Sequence, residues 1–60
     1  MKTSELLKLL RKNDCQIVRH GAGHDIWKNQ TTGNQFSVPR HKTEVKKGTA
    51  EKILKEAGLK

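Results

Sequence analysis

Apolar residues recur along this chain in two rhythms, and the changes between them mark out its elements. Leu6, Leu7, Leu9 and Leu10 fall at helical spacing, with Lys8, Arg11 and Lys12 turned to water. Thr3 or Ser4 stands where a side-chain oxygen can cap this helix, and Glu5 lies near its positive end. Asn13 and Asp14 end it. Gln16-Ile17-Val18-Arg19-His20 is short and β-branched at its centre, which predicts a strand. After Gly21-Ala22-Gly23 comes an alternating run, His24 to Asn29. There His24, Ile26 and Lys28 share one face, and Asp25 and Trp27 share the other. Thr31-Thr32-Gly33-Asn34 is a turn with a glycine free to take a positive φ. Gln35-Phe36-Ser37-Val38 forms a third strand, closed by Pro39, which cannot donate to a ladder. A basic loop spans Arg40 to Lys47. Helical spacing then returns from Gly48-Thr49 through Ala50, Ile53, Leu54 and Ala57, with Gly58 as a left-handed cap and Leu59 folding back.

Three strands joined by short turns form an antiparallel meander. The order α-β-β-β-α therefore predicts an α+β fold, with two amphipathic helices on one face of a three-stranded antiparallel sheet. The other face stays partly open. The whole of 1–60 reads as a single domain without repeats or linkers. Apolar Ile26 is expected to point toward the helices, which sets a tension with His24 on the same face. His24 must then reach the rim from the end of its strand.

Composition narrows what such a domain can do. Its 60 residues are 32% hydrophobic, so the core is small and a large enclosed pocket is excluded. No stretch approaches the ~20 apolar residues of a membrane span. Lys8, Arg11 and Lys12 break up the N-terminal apolar run, which is unlike a signal peptide. The single cysteine, Cys15, allows no internal disulfide; it suits a reducing cytoplasm and reads as a small buried hydrophobe. With 13 Lys+Arg against 6 Asp+Glu, the formal net charge is +7. Such a surplus attracts phosphate backbones or acidic proteins.

His24 is the main candidate for chemistry. A free imidazole titrates near pH ~6.5, close enough to neutrality to serve as acid or base. RNA can be cut without a metal, because its 2′-OH lies beside the scissile phosphate and needs only proton transfer and charge stabilisation. Lys28, two residues along the same strand face, is a phosphate contact in this reading. Arg19 and His20 flank the turn and could bring positive charge beside His24. Arg40, His41, Lys42, Lys46 and Lys47 complete the candidate RNA-binding set, although a charge run of this kind is often just a solvated loop. Trp27 is read as sheet packing or partner interface, with base stacking as the other option. The three histidines show no Cys/His ligand spacing, so no metal and no other cofactor is expected. The residues alone leave His24 open between catalysis and an ordinary surface histidine. They equally allow a non-catalytic RNA- or DNA-binding module.

Four pieces in order resemble the HicA family of toxins. They are Lys2 to Leu10, the glycine turn delivering His24 into Asp25-Ile26-Trp27-Lys28, Val38-Pro39-Arg40-His41, and Gly48-Thr49 with Ile53 to Leu59. The resemblance covers essentially the whole chain. It implies a double-stranded-RNA-binding-domain-like fold and an mRNA interferase, a small endoribonuclease toxin acting on mRNA. It also implies a HicB-type antitoxin partner, with the toxin a monomer when free and a hetero-oligomer when neutralised. The family's histidine, in a G-S-H-x pattern, maps onto His24. Here Ala22-Gly23 replaces the Gly-Ser pair, and Asp25 stands where a second histidine is common.

Overall fold

In the computed structural model, which describes residues 1–60, the elements follow the order the hydrophobic rhythm predicts. They are α1 (Thr3–Lys12), β1 (Cys15–His20), β2 (His24–Asn29), β3 (Gln35–Pro39) and α2 (Lys47–Glu56). The strands form one sheet in the order β1-β2-β3, both pairings antiparallel. His24 lies opposite Pro39, and His20 opposite Asp25. A bulge at Val18, between Ile17 and Arg19, shifts the β1–β2 register. The isolated bridge Lys2↔Glu44 lies outside this sheet. No helix is long and apolar enough to cross a membrane.

Both helices cover the same side of the sheet. Leu6 and Leu10 of α1 and Ala50, Ile53 and Leu54 of α2 share one buried cluster with Cys15, Trp27, Phe36 and Val38. This settles the two faces of β2 against the expectation for Ile26. Trp27 is the residue that points to the helices, 1% exposed, while Ile26 is only half-buried on the open side. The reason lies in the polar residues flanking Trp27. Asp25 and Asn29 share its buried face but both are hydrogen-bonded, so their burial is tolerated. The Arg11 guanidinium sits 5.3 Å from the centre of the Trp27 ring, closing the core's edge with a cation–π contact. Burial, together with the nearby Asp14 carboxylate, pushes the Cys15 thiol up and keeps it protonated.

The start of α1 also differs from expectation. Neither Thr3 nor Ser4 caps it. The capping position falls on Lys2 without a side-chain hydrogen bond, and Thr3 is already helical and buried, its Oγ1 unpartnered. A distant segment takes over the task. Thr3 N–H donates to the Thr43 carbonyl at 3.0 Å, and Val45 N–H donates to the Met1 carbonyl at 2.9 Å. The loop before α2 is thereby stitched to the start of the chain. Helix α2 begins at Lys47, one residue before the expected Gly48, whereas the C-terminal ends of both helices behave as predicted. Asn13 and Asp14 close α1, Asp14 at φ 67°, and Gly58 at φ 79° closes α2 with Leu59 N–H returning to the Leu54 carbonyl at 2.9 Å.

Candidate catalytic groove and nucleic-acid surface

The turn between β1 and β2 sets the position of His24. Gly21 N–H donates to the His24 carbonyl at 2.7 Å, and a β-carbon on Gly21 would lie 2.7 Å from that oxygen. Glycine is therefore required here by close approach and not by a positive φ, which the turn glycines do not have. The far side of the turn is held by β3's continuation. Arg40 N–H donates to the Gly23 carbonyl at 3.3 Å, and the Arg40 guanidinium donates to the Gly21 carbonyl. That guanidinium also lies 3.6 Å from the Asp25 carboxylate, which is 2.8 Å from His20 Nδ1. Asp25 thus gathers an arginine and a histidine around one largely buried oxygen.

Strand alternation then sorts the candidate residues. His20 pairs across the strands with Asp25 on the helix-covered side, so it does not stand beside His24 as its position next to the turn suggested. His24 projects to the open side with Arg19, Ile26 and Lys28, an exposed imidazole among basic neighbours. Arg40 is engaged with the turn. His41, Lys42, Lys46 and Lys47 are all exposed. Lys42 lines a separate groove of about 550 Å³ near the start of α1, with Lys2, Thr3 and Ser4 on its walls and Glu44 beside it. Trp27 is packed in the core and unavailable for stacking on a base.

His24 itself also lines a smaller groove, of about 170 Å³, along the free edge of the outer strand β3. There open-face residues of the sheet and residues of α2 border one space. The sheet supplies His24, Ser37 and Pro39, and α2 supplies Thr49, Lys52, Ile53 and Glu56. These four helix positions are spaced i, i+3, i+4, i+7, a single stripe along α2. Buried Ile53 forms the floor, and Lys52 and Glu56 are exposed at the rim. None of the basic-loop residues 40–47 lines this groove. Lys52 and Glu56 were missed from sequence because they read as the solvent face of an amphipathic helix. The only available signal was their stripe with Ile53. Chemically, the groove combines an imidazole, two hydroxyls, an ammonium and a carboxylate.

Among known families, the model described as the HicA toxin of bacterial toxin–antitoxin systems matches residues 3–59. No curated protein and no solved structure matches the chain significantly.

Proposed function

The chain belongs to the HicA toxins of bacterial toxin–antitoxin systems, and from that premise we propose that it is an endoribonuclease that cleaves mRNA through His24. The observation that carries this reading is the placement of His24. Its imidazole is exposed at the start of β2, on the open sheet side, and in a groove walled by a second element. A positioned imidazole contributes ~10²–10⁴-fold by proton transfer. The 2′-OH is the nucleophile, so the reaction yields a 2′,3′-cyclic phosphate and a 5′-hydroxyl without a metal. Arg19 and Lys28 on the same face bind flanking phosphates, the exposed Lys42, Lys46 and Lys47 extend the path by counterion release, and His41 adds a hydrogen-bonding side chain beside them.

The natural partner in this reading is a HicB-type antitoxin of acidic character, which competes with RNA for the same positive surface. The place of action is the cytoplasm, where mRNA is met.

Expression of the chain without its antitoxin tests the proposal. Wild type is expected to arrest growth, and His24→Ala to abolish the arrest while purified His24→Ala protein still binds RNA. The same RNA with 2′-deoxy sugars should resist cleavage. Arrest by His24→Ala at wild-type strength, or cleavage of the deoxy substrate, overturns the mechanism. Binding without cleavage by the wild-type protein would instead favour a non-catalytic nucleic-acid-binding module.

A further inference from the structure

Transesterification of RNA moves two protons, one off the 2′-OH and one onto the departing 5′-oxygen. The attacking and departing oxygens lie on opposite sides of phosphorus. The two proton-transfer groups must therefore approach from different walls of the site. His24 supplies one wall. Neither other histidine supplies the second, since His20 Nδ1 is held 2.8 Å from Asp25 on the helix-covered side and His41 lies outside the groove.

The helix side of the groove carries Glu56. A carboxylate in a groove meant for a polyanion repels its ligand unless it has a chemical task. Of the chain's five other acidic residues, Glu5 and Glu44 lie outside this groove and the remaining three are already engaged. Asp25 holds His20 and Arg40, Glu51 pairs with Lys60 at 3.8 Å, and Asp14 accepts from Thr31 at 3.3 Å. Resting on the ribonuclease reading of His24, we infer that Glu56 is the general base and Lys52 the phosphate-binding cation of the same groove.

The division of labour follows from the side chains. An ionised carboxylate can only accept a proton, whereas a protonated imidazole can donate one. Glu56 takes the proton of the 2′-OH, and the 2′-oxygen bonds to phosphorus. The bond from phosphorus to the 5′-oxygen breaks as His24 gives that oxygen its proton. Lys52, one turn before Glu56 on the same helix stripe, faces the non-bridging oxygens as their charge grows. The ionisable groups facing Glu56 in the groove are Lys52 from its own helix and His24 from β2; β3 brings only Ser37 and Pro39.

Steady-state cleavage of an RNA oligonucleotide by Glu56→Gln, Glu56→Asp, Lys52→Gln and the control Glu51→Gln tests this inference. Wild type should show a bell-shaped pH–rate profile. Glu56→Gln should lower kcat by about 10²-fold or more with KM little changed, and lose the acid limb of the profile. Glu56→Asp should keep that limb at reduced rate. Lys52→Gln should raise KM and lower the salt slope of binding by about one phosphate contact. Glu51→Gln should cleave normally, and circular dichroism should show all four variants folded. A Glu56→Gln protein that cleaves at the wild-type rate, or keeps the full bell, overturns the inference about Glu56. Unchanged KM and salt slope in Lys52→Gln overturn the inference about Lys52. Failure of the underlying reading looks different: the wild type itself leaves RNA uncut, or His24→Ala cuts it as well.

Discussion

The two turns of the sheet are built on opposite principles. The β2–β3 turn is organised by a buried side chain, Asn29, whose Oδ1 accepts from Thr31 N–H at 2.9 Å and Thr32 N–H at 3.2 Å. Its Nδ2 donates to the Ala57 carbonyl at 2.7 Å, tying the turn to the end of α2. Gly33 serves there by adopting φ 80° in open space. The β1–β2 turn has no buried side chain bonded to its own backbone, although buried Asp25 beside it anchors Arg40. It is held from outside, by Arg40 and by a close backbone approach at Gly21. The first turn spends its hydrogen bonds on folding, and the second holds His24 at the surface. Stability and activity should therefore separate between them.

Asn29→Ala is expected to have the largest effect on stability. It removes three hydrogen bonds and leaves the Ala57 carbonyl without its partner, at about 1 kcal/mol each and about 3 kcal/mol in all. A domain this small has only ~3–5 kcal/mol to lose. Thermal or urea unfolding should show a largely unfolded population at 37 °C, with specific activity per folded molecule preserved. A loss below about 1 kcal/mol would mean that the turn is organised by something else.

The paired glycine changes sharpen the contrast. Gly33→Ala must place a side chain at positive φ, at ~1–2 kcal/mol, with no neighbour disturbed and RNA cleavage intact. Gly21→Ala forces its new β-carbon against the His24 carbonyl, so the backbone that carries the imidazole must move. Its stability cost is ~1–3 kcal/mol, but a 1 Å displacement at a reacting group can lower the rate ~10²-fold. Unfolding curves and cleavage rates on the same preparations check this. Equal activity losses in the two variants would erase the distinction.

How far the sequence anticipates these features depends on whether a feature is local. The five elements and the Gly58 and Gly33 conformations follow from spacing and from residues with few backbone options. The inward face of β2 does not, because Ile26 and Trp27 put apolar bulk on both sides. Choosing between them requires the partners of Asp25 and Asn29, which are His20 and Arg40 for the first and, for the second, the carbonyl of Ala57, 28 residues beyond it. The groove is hidden for the same reason. His24 is conspicuous in the chain, but Lys52 and Glu56 meet it only because α2 packs beside β3. The missing cap on α1 is likewise a long-range matter, since the Thr43 carbonyl replaces a side-chain oxygen.

The smallest effect on stability, and the sharpest test of the outer turn, belongs to Arg40. Its side chain is about one-third exposed, so its pairing with Asp25 is worth no more than ~1 kcal/mol. Its contact with the Gly21 carbonyl nevertheless fixes the segment that presents His24. Arg40→Gln is therefore expected to leave the unfolding midpoint nearly unchanged and to lower kcat severalfold, with RNA affinity retained. Arg40→Lys should behave almost the same way. It keeps the charge but loses the planar fork that reaches the carbonyl and the carboxylate together. A direct phosphate contact predicts the reverse pattern. Affinity would then fall in Arg40→Gln, the salt slope would drop by about one contact, and Arg40→Lys would restore both. Measuring kcat, KM and the salt slope in both variants decides whether Arg40 works on the RNA or on the turn.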